Sequence, residues 1–376
     1  MFKCVDLFCG AGGLSEGFRQ NGFDILLAND FDAWCEATYK LNHPETEFIS
    51  GAIQDISAQQ MLSMLGMKKG ELDCIIGGPP CQAFSVYNHQ RGMHDERSGL
   101  FREYLRLVKG LLPKYVVIEN VPGMSSVEDG VAVIEIKQGL QALGYRVEVT
   151  LLKAENYGVA QERRRLFFIG NRIGSEIIFP KPTHGEGLLP YVNVWDAISD
   201  LPVLQNGEGS DVMNYILPPQ SEYQKVIREG AQMLFNHFAP ALGAINLERM
   251  KHIPEGGSWR DIPIELLPAG MKRAKRSDHT KRYGRLRKDG FASTILTKCD
   301  PHWGAFFHPE QDRVITVREA ARLQCFQDKI RFEGSRVEQY KQVGNAVPVF
   351  LSAAIAKEVH KSLMEHSFGA LNLYAM

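Results

Sequence analysis

A cysteine stands directly behind two prolines in GGPPCQAFS, residues 77–85. Two prolines remove two backbone donors and fix φ, so the loop bearing Cys81 is shaped before any substrate arrives. A free thiol has a pKa of about 8.5 and is only a few per cent thiolate near neutrality. A strand end close to a helix N-terminus or a cation raises that fraction. Cys4 and Cys74, inside apolar runs, suit the plainer role of small buried hydrophobes. Cys81 is instead the candidate nucleophile. Glu119 closes the apolar run YVVIEN, where a carboxylate has to be paired, hydrogen-bonded or functional. QERRRLFFIG places Gln161, Arg163 and Arg165 at the entry to another apolar run. Alternate residues entering a strand share a face, so Arg163 and Arg165 are expected to point into one site, with Arg164 turned away.

A second cluster would hold a ligand. FCGAGG, residues 8–13, resembles a nucleotide-binding loop but lacks the third glycine of GxGxxG, Ser15 standing in its place. A pyrophosphate needs that full turn at a helix N-terminus. S-adenosylmethionine has no phosphate and requires only glycines that let the backbone approach its amino-acid moiety. Asp30, at the end of the next apolar run, is placed to accept hydrogen bonds from a ribose diol, and Phe31 to stack on adenine.

These residues fall where parallel strands would end. FKCVDLF, DILLAND, LDCIIGG, YVVIEN, RVEVTLL and RLFFIG read as strands separated by helix-length segments. That alternation predicts an α/β fold with a doubly wound, mainly parallel, Rossmann-like sheet, whose ligands gather at the C-terminal strand ends. After about Pro180 the chain becomes rich in Pro and Gly and loses the alternation, which predicts a second, smaller and irregular domain. VREAARLQCF and VPVFLSAAIAKEVHKSL return to helical patterns.

The chain has 376 residues, 44% of them hydrophobic, and a net charge of −1. No run approaches a membrane span, and MFKCVDLFCGAGG reaches Asp6 and its glycines too soon for a signal peptide, so a cytoplasmic protein is expected. Seven scattered cysteines without a CxxC argue for free thiols and no metal site. Between Lys272 and Lys288 nine basic residues meet one acid, Asp278, which reads either as a solvated face or as a phosphate-binding stretch.

Taken in order, DLFCGAGG, GGPPCQAFS, ENV, QERRR, RVITVREAARLQ and QVGNAVP resemble the motif series of the cytosine carbon-5 DNA methyltransferases, bacterial restriction-modification or orphan type. The resemblance runs from residue 4 to about 360, with residues 186–280 outside the shared motifs. It implies a discontinuous catalytic domain over 1–185 and 335–376 and a target-recognition domain over 186–334. It also implies that Cys81 adds to carbon 6 of a flipped cytosine and that Glu119 holds ring nitrogen 3 and the exocyclic amine. Arg165, supported by Arg163, would hold the base carbonyl. S-adenosylmethionine would lie against Phe8, Gly10, Gly12, Gly13, Asp30, Phe31, Ile53, Pro80, Asn345 and Val347. Ser85, Gln161, Arg285, Thr294 and Thr297 are the implied DNA contacts, the last two from TILTK, which resembles the family's TLT-type element. Duplex DNA is the expected partner, bound by a monomer acting at the nucleoid, with room for a companion restriction endonuclease that does not bind it.

The chain departs from the family at Asp30, where Glu is frequent, and at Gly51-Ala52-Ile53, where Gly-Asp-Ile is frequent. LQCFQD likewise replaces LQGFPD at Cys325 and Gln327. A tRNA cytosine methyltransferase of the same fold, or a catalytically silent nucleotide- or DNA-binding module, are the rival readings. Amino-group methyltransferases carry Asp, Asn or Ser before Pro-Pro and an aromatic residue, and the incomplete glycine fingerprint disfavours a Rossmann oxidoreductase.

Overall fold

The computed structural model describes residues 1–80, 99–126, 130–275, 277–278 and 281–374, and side chains as far as residue 368. The chain divides into two units. The first comprises Met1–Lys153, Arg164–Pro182 and Val349–Met376, and the second Ala154–Arg163 and Thr183–Pro348.

The first unit is built on seven described strands: β1 (Phe2–Leu7), β2 (Phe23–Asp30), β3 (Glu47–Ser50), β4 (Cys74–Gly77), β5 (Tyr115–Asn120), β6 (Arg146–Lys153) and β7 (Arg164–Asn171). Their order is β3-β2-β1-β4-β5-β7-β6. The pairs joining β3, β2, β1, β4 and β5 are parallel, whereas β7 runs antiparallel between β5 and β6. The α/β, mainly parallel sheet expected from the sequence is therefore present. β1, β4 and β5 are apolar almost throughout because helices cover both faces. β6, at the edge, alternates buried and exposed residues over part of its length, as a half-solvated strand does. Strand order reverses between β1 and β4, so the turns after β1, β2, β4 and β5 open on one edge, where a doubly wound sheet binds ligands.

The side-chain period of two divides β1 between two cores. Val5 and Leu7 join a cluster with Tyr104, Leu107, Val108, Ile136 and Leu140 from the helices Leu100–Leu111 and Val131–Ala142. Cys4 and Asp6 consequently face the other side. There Gly13–Arg19, the helix after β1, packs on the C-terminal helix Val349–Tyr374. The contact is too close for any side chain at Gly17, since a Cβ there would lie 2.5 Å from the Ala353 backbone nitrogen and from Ser352. Ser352 also donates to the Leu14 carbonyl at 2.8 Å.

The second unit contains short elements, among them the antiparallel pair Gly209–Met213 and Leu234–Phe238 and the helices Val317–Leu323 and Arg336–Asn345. Its centre is ionic as well as apolar. Arg322 meets Asp200 and, at 2.6 Å, Asp328, while Arg313 grips both oxygens of Glu319 at 2.8 and 2.7 Å. All five side chains are buried. Removing one member of such a network strands its partner's charge, at a cost of about 3–5 kcal/mol. Val317–Leu323 starts on a capping box between Thr316 and Glu319, matching the helix expected in VREAARLQCF. Cys325, where the resembling family commonly has glycine, adopts φ 62°, a left-handed turn that a non-glycine residue holds at a cost of roughly 1–2 kcal/mol.

Candidate active site

The turn after β1 is strained in the way glycine relieves. Phe8, Gly10 and Gly12 have φ of 59°, 54° and 85°. Asp30, buried at the end of β2, holds the turn from beneath: its Oδ2 accepts from Gly10 N at 2.9 Å and its Oδ1 from Asp32 N at 3.0 Å. Burial raises the Asp30 pKa, and these backbone donors oppose the rise. A Cβ on Gly10 or on Gly51, beyond β3, would meet nothing within 4 Å, so both backbones border open space. A Cβ on Gly12 would press on His43 and Tyr39 at 3.0 and 3.1 Å. Phe31 is 69% exposed beside Asp30. Ile53 is buried, its carbonyl fixed at 2.9 Å by Arg106, and Gly13 opens the following helix. An open, glycine-lined turn with a carboxylate at one side and an exposed ring beside it suits an adenosyl group joined to an amino acid.

Asp6 lies under the same turn and was not singled out in the sequence as a site residue. Its Oδ2 accepts from Ser15 Oγ at 2.6 Å, and Ser15 Oγ is 2.6 Å from the Tyr39 hydroxyl. The other oxygen has no hydrogen-bond partner among the described residues. Burial pushes the Asp6 carboxyl up to about 7, with the Asp30 charge adding to the rise and the Ser15 hydrogen bond opposing it. A raised acid favours the folded state most below its unfolded pKa of about 4, and that contribution is lost as pH rises towards 7. The group's share of stability should fall by about 1.4 kcal/mol per pH unit across that window, on the order of 4 kcal/mol in all. Urea unfolding of wild type and Asp6→Asn at pH 5 and at pH 7.5 checks this. The variant should gain on wild type at the higher pH, and a difference independent of pH would rule out a raised Asp6.

The described catalytic candidates of the first unit lie near the end of β5 and the start of β7. Glu119 is buried and pairs with Arg165, its Oε1 standing 2.7 Å from Nε. Burial pulls the Arg165 guanidinium's pKa down, and the Glu119 charge opposes that pull. The chain leaving β4 runs against this pair. A Cβ on Gly78 would be 3.1 Å from Glu119 Oε2, and Asn120 Nδ2 donates to the Pro79 carbonyl at 3.1 Å. Pro80 follows, half-buried; Cys81 and Ser85 lie outside the described residues.

A family model for C-5 cytosine-specific DNA methylases matches residues 2–361. The chain belongs to that family. Its relatives include the type II methyltransferase M.AgeI of Thalassovita gelatinovora, 34% identical over 95% of this chain and 99% of that protein. The type II methyltransferase M1.HphI of Haemophilus parahaemolyticus is 36% identical over 95% of this chain and 86% of its own length. Among solved structures, a protein described as a DNA modification methyltransferase encoded within an E. coli prophage superposes with a TM-score of 0.77. It is 25% identical and covers 97% of this chain and 100% of its own.

Several residues that the methylase resemblance implies for catalysis or DNA contact are committed elsewhere in this family member. Arg163 immediately precedes β7 and belongs to the second unit. There its Nη2 donates to the Gly344 and Ala346 carbonyls at 2.9 Å each, and its Nη1 to Ile295 O at 3.2 Å. A guanidinium buried among carbonyls stitches these segments of the second unit together. Gln161 is buried too, donating to Leu323 O and Gln324 Oε1 at 3.0 Å each and accepting from Ile295 N at 2.9 Å, so its amide is spent inside the protein. Arg285 gives its donors to the carbonyls of Ile253, Met250 and His308 at 2.8–3.1 Å, and to Asp312 at 2.8 Å. It is buried, and its donors are engaged within the protein. Thr294 donates to Glu162 O at 2.7 Å, whereas Thr297 is exposed. Asn345, exposed, and Val347, buried, belong to the second unit. No helix among the described residues is long and apolar enough to cross a membrane.

Asp6 carries a readable signal: FKCVDLF, like YVVIEN, holds an acid within a buried apolar strand. No comparable signal marks Arg163 or Arg285, whose partners lie far off in the sequence.

Proposed function

We propose that the protein methylates carbon 5 of a cytosine within a particular site of duplex DNA, with Cys81 as nucleophile. The observation that carries this is the packing of Gly78 and Pro79, three and two positions before Cys81, against the Glu119–Arg165 pair and Asn120. Membership of the methylase family and similarity to type II methyltransferases point the same way.

Carbon 5 of cytosine is a poor nucleophile until carbon 6 carries one. The Cys81 thiolate adds at carbon 6 and turns the ring into an enamine-like donor. Glu119 accepts a hydrogen bond from the exocyclic amine and, through a proton taken up at ring nitrogen 3, from the ring itself, and Arg165 holds the carbonyl oxygen. Their opposite charges, fixed before reaction, stabilise charge that shifts across the ring. Loss of the carbon-5 proton to a base then expels the thiol and restores the aromatic ring. S-adenosylmethionine, when bound, supplies the methyl group as an electrophile. The Gly10–Gly13 turn, Asp30, Phe31 and Ile53 would hold it. The target carbon is enclosed in the stacked duplex, so the cytosine has to leave the helix at a cost of a few kcal/mol, offset by contacts elsewhere on the DNA. Similarity to type II methyltransferases supports a place beside a restriction endonuclease.

Duplex DNA carrying 5-fluorocytosine, incubated with the protein and S-adenosylmethionine, tests the reading, since fluorine blocks loss of the carbon-5 substituent and traps the thiol adduct. A denaturation-resistant protein–DNA complex is expected. Absence of the complex together with methylation of bulk tRNA would overturn DNA as the substrate.

A further inference from the structure

The nine basic residues between Lys272 and Lys288 are not equivalent. Arg285 is internally satisfied, as described. Arg287 pairs with Asp289 at 2.9 Å, Lys288 with Glu310 at 2.9 Å and Glu255 at 3.9 Å, and Lys281 with Glu162 at 3.8 Å. Lys272, Arg273 and Lys275 are exposed and form no ion pair among the described residues.

Arg282 also has no carboxylate partner among the described residues, and what it touches is aromatic. Its guanidinium carbon lies 4.9 Å from the centroid of the Trp303 ring, and Nη1 is 3.4 Å from His302 Nε2. The His302 and Trp303 rings meet edge to face with centroids 5.1 Å apart, and Tyr283 stands edge-on to His302 at 5.8 Å. The backbone fixes this group: Tyr283 N donates to Pro301 O at 2.6 Å and Trp303 N to Asp300 O at 2.9 Å. Trp303 is nevertheless 47% exposed. A single exposed aromatic residue is ordinary. A tryptophan held rigidly in the open beneath a cation that neutralises no acid is a ready surface for nucleic acid, which offers anionic phosphates beside apolar sugars and base edges.

We propose that Arg282, His302 and Trp303 form a duplex-DNA contact of the second unit, with Lys272, Arg273 and Lys275 as phosphate ligands. Trp303 packs on deoxyribose and base edges, and Arg282, oriented by the ring, meets a phosphate. Arg285, Arg287 and Lys288 take no part, because their charge is already spent. The inference rests on duplex DNA being the substrate.

Binding of a fluorescein-labelled duplex of mixed sequence, followed by anisotropy over a range of salt concentrations, tests the assignment on the full chain. The triple variant K272A/R273A/K275A should reduce the salt slope by about 3, since each phosphate contact contributes about 0.9. Trp303→Ala should weaken binding about 5- to 100-fold at a nearly unchanged slope, with Trp303→Phe recovering much of the loss. The control R287A/K288A should bind like wild type. Thermal melts confirm that each variant is folded, and Trp303→Phe keeps the test open if the alanine variant is not. Wild-type affinity in folded Trp303→Ala and Arg282→Ala, or an equal loss in the control, would overturn the inference. If wild type itself neither binds the duplex nor traps 5-fluorocytosine DNA, the substrate reading fails and this contact with it. If wild type does both and the platform variants match it, only the contact is wrong.

Discussion

Cys81→Ser should lose methyl transfer to duplex DNA by a factor on the order of 10⁴ or more, while still binding the duplex. A serine hydroxyl is isosteric but far harder to ionise than a thiol, so the step that activates the ring almost disappears. Knocking out a nucleophile in a well-characterised hydrolase costs about 10⁶ in turnover, which sets the scale. DNA affinity is the control, because contacts remote from the thiol should persist. Transfer of labelled methyl from S-adenosylmethionine, alongside duplex binding, gives both numbers. Activity within tenfold of wild type would remove Cys81 from the mechanism.

Glu119 should show the next largest effect, and its two substitutions separate structure from chemistry. Glu119→Ala leaves Arg165 buried without its counter-charge, a loss of roughly 3–5 kcal/mol in pairs of this kind. Glu119→Gln keeps the shape and an acceptor but removes the negative charge. Its melting temperature should stay closer to wild type while kcat falls on the order of 10²–10³, the usual cost of one preorganised electrostatic contact. A glutamine variant with undiminished kcat would show that Glu119 serves Arg165 and not the base.

Much of the fold was legible in the sequence because parallel strands buried on both faces are continuous apolar runs, and a polar group at a strand end breaks the pattern. YVVIEN shows its buried acid for that reason, whereas Cys81 of GGPPC lies outside the described residues. Charge, by contrast, does not disclose burial. The arginines of QERRR look alike in sequence, yet Arg163 is buried among carbonyls of the second unit, Arg164 is exposed and Arg165 pairs with Glu119. The antiparallel placement of β7 between β5 and β6 was equally hidden, since strand direction depends on a connection and not on composition. In the second unit the partners of Arg322, Asp200 and Asp328, lie 122 residues before it and 6 after it. No local window contains such a network.

The helix beginning at Val349 leans on the helix beginning at Gly13 so tightly that Gly17 admits no methyl group. The helix Gly13–Arg19 therefore receives its wall from a segment far along the chain, and the glycine turn beside it cannot settle until that segment has been made. A chain cut before Val349, however well its middle has folded, should leave that turn unformed.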